Sequence, residues 1–183
     1  MQSIETERCF ITAYEPERDL DEHWAIYESP EMWQYLGWSE QPGYDEMKRL
    51  FKDRPPLWEA HTPGSGVFPI RMKDDNAFAG ILLLKALPYS GGELSEHIEI
   101  GWHLARPYWG RGLATEAALA IRDYAFETLN LPYFYAIADP ENTPSLKVME
   151  RIGMRFLERT DRFYDDMGVL YVLDRATWEA GRT

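Results

Sequence analysis

The sequence predicts a mixed α/β fold, a single domain over residues 1–183 whose one mixed sheet carries helices on both faces. Residues 97–104 (His-Ile-Glu-Ile-Gly-Trp-His-Leu) alternate as a strand does. From Leu113 to Leu129, apolar residues recur at Ala114, Ala118, Ile121, Ala125 and Leu129, the spacing of a buried helical stripe. Tyr133 to Ala138 then reads as a strand. Strand, crossover helix and strand in that order make a parallel unit.

The other elements follow in chain order. Cys9 to Tyr14 is rich in strand formers, and Leu20 to Glu28 reads as a helix with Pro16 and Glu17 near its start. Pro30 to Trp38 is short, aromatic and irregular. Tyr44 to Lys52 is a second helix, and residues 53–66 are loop-like but carry Trp58. Val67 to Lys73 and Ala77 to Leu87 pair through the turn residues Asp74-Asp75-Asn76. Gly80 to Leu84 is nearly all apolar, as expected of a strand covered on both faces. In the 98–104 strand, Ile98, Ile100, Trp102 and Leu104 share one face, while Glu99, Gly101 and His103 share the other, a registry that a β-bulge would alter. Met154 to Phe163 and Met167 to Leu173 read as antiparallel strands around an Asp165-Asp166 turn.

A chain of 183 residues suits one domain with a proper core, and 14% aromatic content with seven Trp argues against disorder. The formal net charge of −12 argues against nucleic acid or an anionic membrane as partner. The single cysteine, Cys9, excludes an intrachain disulfide and fits a reducing, cytoplasmic setting. It lies in an apolar strand, which argues against a nucleophile. No apolar run approaches the ~20 residues of a membrane span. The four His show no metal-ligand spacing, so no metal is expected.

Between the 98–104 strand and the long helix lies Trp109-Gly110-Arg111-Gly112-Leu113-Ala114-Thr115. A Gly-rich turn there opens helical N–H groups, and with them the positive end of the helix dipole, to a phosphate. Arg111 adds a cation and Thr115 a hydroxyl. The segment lacks the Gly-Lys-Ser/Thr ending of a P-loop, and a dinucleotide fingerprint would need a third Gly and an acidic ribose partner. An ordinary strand-to-helix turn is the remaining alternative.

Asn142-Thr143-Pro144-Ser145-Leu146-Lys147-Val148-Met149-Glu150-Arg151-Ile152-Gly153-Met154 follows at the spacing that completes a larger pattern. Together the two segments resemble the GNAT acyltransferase superfamily, in the branch of the ribosomal-protein-alanine N-acetyltransferases. Thr6-Glu7-Arg8-Cys9-Phe10-Ile11 is similar to that branch's opening strand, and Glu28-Ser29-Pro30-Glu31 to the end of its first helix. The resemblance runs from about residue 6 to 175, and residues 98–156 carry its specific part. It implies a mostly antiparallel, twisted sheet of about seven strands, with a V-shaped splay between the fourth and fifth. It also implies an acetyl-coenzyme A site. The pyrophosphate loop falls on Trp109, Gly110, Arg111, Gly112, Leu113, Ala114 and Thr115, with Trp109 in place of the usual Gln or Arg. Trp102, His103 and Leu104 would pair with the pantetheine amides, Asn142 would bond the pantetheine arm, and Ser145 would sit near the thiol.

The implied chemistry is acetyl transfer to a neutral primary amine on a protein N-terminus or a small molecule. Glu99 is the first choice as base, since partial burial would raise its pKa, with His103 and His97 behind it. Ser145 is the first choice as donor to the thiolate; its other reading is a helix first-turn serine that bonds only backbone. Many superfamily members place a general-acid Tyr where this chain has Met149. By analogy residues 29–60 would cover the acceptor, with Trp33, Tyr35, Trp38, Tyr44 and Trp58 as walls and Asp161 to Gly168 as the other side; the alternative puts at least half of these aromatics in the core. A homodimer enters by analogy alone. A non-catalytic acyl-coenzyme A binding module is the competing reading, and turnover separates the two.

Overall fold

A computed structural model describes residues 3–36 and 40–182, apart from the side chains of Asp53 and Pro55. Its elements are β1 (Ile4–Glu5), β2 (Cys9–Ile11), α1 (Pro16–Ala25), α2 (Pro30–Trp33), α3 (Tyr44–Asp53), α4 (Pro55–His61), β3 (Gly66–Met72), β4 (Phe78–Pro88), β5 (Leu94–Leu104), α5 (Leu113–Glu127), β6 (Tyr133–Ala138), α6 (Thr143–Arg151), β7 (Arg155–Thr160), β8 (Gly168–Asp174) and α7 (Arg175–Ala180). The strands form one eight-stranded sheet in the order β1-β2-β3-β4-β5-β6-β8-β7. Every neighbouring pair is antiparallel except β5 with β6.

The mixed α/β class and the mostly antiparallel sheet are as expected. The strand count differs because the opening segment is two strands. Thr6 folds β1 back on β2: its amide donates to the Cys9 carbonyl at 2.9 Å, and its hydroxyl accepts from the Cys9 amide at 3.1 Å. The parallel junction therefore falls between the fifth and sixth strands in chain order. Cys9 is fully buried there, in keeping with a structural thiol.

Proline at the first turn explains the other differences. Its missing N–H costs nothing at that position, and its fixed φ suits a helix start. So α1 begins at Pro16 rather than Leu20, a short α2 begins at Pro30, and the expected loop over 53–66 contains α4, opening on Pro55 and Pro56. The sequence reading had no counterpart for α7, whose cap is Asp174, accepting from the Thr177 amide at 2.8 Å.

Helices cover both faces of the sheet. On one, α5, α6 and α7 bury Ala117, Ala118, Ile121, Val148, Ile152 and Trp178 against Ile98, Ile100 and Leu104 of β5. On the other, the N-terminal helices bury Tyr27, Met32, Met47 and Trp58 against Val67, Phe78 and Ile81. The β4–β5 register runs without a break from Gly80↔Leu104 to Ala86↔Ile98, and its irregularity lies between Ala86 and Pro88. The two faces expected of the 98–104 strand are therefore kept. β5 and β6 meet at a single register pair, Glu99↔Tyr135. Beyond it, Gly101 to Leu104 and Ile137 to Ala138 line the same cleft, so the two strands diverge as the resemblance implied.

Candidate active site

The cleft between the diverging strands has a volume of about 840 Å³. One wall is the end of β5, the turn before α5 and the start of α6. The other comes from the N-terminal helices and from the β7–β8 loop.

Gly110 and Gly112 adopt left-handed backbone, φ 69° and 77°. An L-residue resists that conformation, which here turns the chain into α5 without a side chain over the helix end. Gly112 caps α5 with no side-chain hydrogen bond, so the first-turn N–H groups face the cleft together with Gly110, Ala114 and Thr115. Trp109 fastens this turn to β5: its indole N–H donates to the Leu104 carbonyl at 2.7 Å, and the Arg106 guanidinium stacks on its ring at 4.9 Å. That contact uses one of the two lone pairs of the Leu104 carbonyl. Arg111 is not among the cleft-lining residues; its guanidinium reaches the Pro107 carbonyl and the Tyr108 ring instead. An anchor not foreseen from sequence is Arg8. It pairs with Glu116 at 2.6 Å and donates to the Arg111 carbonyl at 2.8 Å.

On the same wall, Asn142 caps α6, its Oδ1 accepting from the Ser145 amide at 3.2 Å. Both residues line the cleft, so the cap and the ligand-facing position coincide. Met149 also lines it and is 1% exposed, so a thioether stands where many superfamily members carry a phenol.

Glu99 is 4% exposed and does not stand alone. Register places Lys85 opposite it on β4. The Lys85 ammonium and the Tyr164 hydroxyl both donate to Glu99 Oε1, and Lys85 also donates to the Tyr164 oxygen at 2.7 Å. Lys85 lies over the faces of Trp58 at 5.7 Å and Tyr164 at 5.3 Å. Burial of the hydroxyl and the adjacent Glu99 charge push the Tyr164 pKa well above the usual phenol value. Loop contacts put this tyrosine in place. Asp165 accepts from the Gly91 amide at 2.8 Å, Ser90 donates to the Asp161 carbonyl at 2.6 Å, and Phe163 stacks on Tyr89 at 5.5 Å.

His103 shares the Glu99 face. Its Nδ1 lies 2.6 Å from the Tyr27 hydroxyl, which meets His23 Nε2 at 3.3 Å, and His23 Nδ1 meets the Tyr14 hydroxyl at 3.1 Å. Burial lowers both imidazoles: His23 to about 3, helped by His103, and His103 to about 4, helped by Lys85. Both stay neutral in the folded state at pH 5 while an unfolded histidine, of pKa about 6.5, takes up a proton. Stability should therefore be complete above pH 6.5 and fall as pH drops toward 4, by roughly 3 kcal/mol or more. Thermal melts over this range check it, and a His23→Phe variant should show a shallower fall.

Among the other sequence candidates, His97 bonds the Tyr133 hydroxyl at 3.1 Å and does not line the cleft. Tyr35 and Trp58 do. Trp33 packs into the core beside Met32 instead, and Tyr44 bonds Asp21 and stands edge-on to Trp24 at 5.5 Å. Trp38 lies outside the described residues. Cleft-lining residues that sequence reasoning did not name include Lys85, Tyr164, Tyr27, Phe51 and Arg54. Lys85 had a signal, as the one charge in the run Gly80 to Leu87. Tyr164 had none. No group of three or more His, Cys, Asp or Glu suited to a metal exists among the described residues.

Residues 8–155 match the family model described as "Acetyltransferase (GNAT) domain". The uncharacterised N-acetyltransferase YnaD of Bacillus subtilis (strain 168) is 40% identical over 89 residues, 48% of this chain and 49% of that protein, so the match spans about half of the relative. The uncharacterised N-acetyltransferase p20 of Bacillus licheniformis is 28% identical over 158 residues, 85% of this chain and 83% of that one. A crystal structure of an acetyltransferase from Agrobacterium tumefaciens str. C58 superposes with a TM-score of 0.76 at 26% identity, covering 96% of this chain and 95% of that one. The aminoglycoside acetyltransferase AAC(6')-Ib, solved in complex with coenzyme A, shares the fold with a TM-score of 0.73 at 17% identity, covering 94% and 98%.

Proposed function

The chain belongs to the GNAT acetyltransferase family, and from that premise we propose that it carries an acetyl group from acetyl-coenzyme A to a primary amine, on a protein N-terminus or a small molecule, by direct attack in a ternary complex. The observation that carries the reading is the cleft between β5 and β6, flanked at one end by the uncapped first turn of α5. The coenzyme A in the AAC(6')-Ib complex supports the same donor here.

When bound, acetyl-coenzyme A supplies an already reactive thioester, so no covalent enzyme intermediate is required. The N–H groups at 112–115 hold the pyrophosphate. A strand N–H near 102–104 stabilises charge on the carbonyl oxygen as the amine attacks. Holding both substrates in register supplies much of the acceleration. As the C–N bond forms and the C–S bond breaks, the amine proton goes to Glu99, directly or through water, and the departing thiolate receives a hydrogen bond from Ser145. Lys85 and Tyr164 fix Glu99 through Oε1, and no hydrogen bond among the described residues engages Oε2, which leaves that oxygen for the proton.

Glu99→Gln should lower turnover by about 10²–10⁴-fold, the range of a general base, with coenzyme A affinity nearly unchanged. Thiol release and calorimetry measure the two; unchanged turnover across pH would remove Glu99 as base. The non-catalytic reading draws on Met149. Thiol release from acetyl-coenzyme A across an amine panel separates it from catalysis, since only an enzyme releases thiol. The ribosomal-protein-alanine branch, the cytoplasmic setting and a homodimer remain parts of this proposal.

A further inference from the structure

The acceptor half of the cleft already holds an ammonium of its own. The carboxylate of Glu99 and the faces of Trp58 and Tyr164 form the kind of cage that receives a cationic amine, and Lys85 fills it. Glu31, the next carboxylate along this wall, is paired with Arg106 at 2.7 Å. Asp166 is exposed and accepts from the Met167 amide at 2.7 Å. It has no cation partner among the described residues. Arg54 lines the same half, close enough to Tyr164 for its charge to be felt there, and has no carboxylate partner among the described residues. Tyr35, Leu36, Leu50, Phe51 and Leu94 make the rest of the wall apolar.

A polycation entering here finds the unpaired carboxylate of Asp166 offset by the unpaired guanidinium of Arg54, and the Glu99 cage already filled by Lys85. A molecule with one amine, an apolar body and a carboxylate finds partners for all three. We infer that the acceptor belongs to this second class, with Arg54 receiving its carboxylate as a planar two-donor fork. Arg54 is then a specificity-determining residue. The inference rests on the acetyltransferase reading above and narrows it.

The test has two stages. Coenzyme A is first titrated into the protein by calorimetry. Thiol release is then measured with L-phenylalanine and the dipeptide phenylalanyl-alanine, each as free carboxylate and as C-terminal amide, beside spermidine and kanamycin. At least one carboxylate should exceed its own amide by about tenfold or more in kcat/KM, the size of one charge-assisted contact, and should exceed both polycations. Arg54→Gln should erase that preference mainly through KM, and Arg54→Lys should keep only part of it, because an ammonium supplies the charge without the two-donor fork. Amides that react as well as carboxylates, or a polycation that reacts best, would overturn the inference and leave the acetyltransferase reading standing. No uptake of coenzyme A, or thiol release with no amine at all, would overturn that reading and the inference with it.

Discussion

Gly112→Glu is expected to abolish coenzyme A binding, lowering affinity by at least about a hundredfold, or roughly 2.7 kcal/mol. Two effects add. The backbone at this position has φ 77°, where a side chain costs about 1–2 kcal/mol. The larger effect is electrostatic, because the new carboxylate occupies the helix end proposed for the diphosphate and satisfies the same N–H groups. Crowding is a minor part: a Cβ here meets only the Arg8 guanidinium, at 3.7 Å. Gly112→Ala carries the strain without the charge, so its loss of affinity should be small. Calorimetry on the two variants separates the effects, and retained micromolar binding by Gly112→Glu would place the diphosphate elsewhere.

Lys85→Met should be the most destabilising single change at the acceptor end. Lys85 and Glu99 have side-chain exposures of 11% and 6%, so removing the cation strands a buried carboxylate. Breaking such a pair costs about 3–5 kcal/mol. For a chain of this length that corresponds to a fall in melting temperature of roughly 6–20 °C. Adding Glu99→Gln removes the stranded charge, so the double variant should recover most of the lost stability and none of the activity. A Lys85→Met protein that melts with the wild type would show that water reaches the pair freely.

How far the sequence led is seen at Glu99. Period-two alternation over residues 98–104 put it on the correct face of the correct strand, because a strand with one buried face has only one acceptable registry. The same pattern could not supply Lys85. That partner sits fourteen positions away in sequence and is brought opposite by the β4–β5 register. The pair belongs to an unbroken run from Gly80↔Leu104 to Ala86↔Ile98, and composition does not encode that register. The turn at 109–115 was legible because glycine has few other uses before a helix. The part played by Trp109 was not, since a hydrogen bond from an indole to a strand carbonyl leaves no periodic trace. Tyr164 was illegible for a further reason. It and Asp165 both have positive φ, 62° and 58°, a conformation that aspartate tolerates and a bulky tyrosine rarely adopts. The loop keeps that shape through contacts to Ser90 and Gly91, more than seventy positions earlier.

Those contacts join two turns distant in the chain into one roof at the Glu99 end of the cleft, while the start of α5 is held through Arg8, Glu116 and Trp109. The two ends meet at Arg106, which stacks on Trp109 and pairs with Glu31 of the opposite wall. On the proposed function, substitutions at Ser90 or Asp165 should therefore retune which amine is accepted with less effect on coenzyme A affinity than substitutions at Arg106.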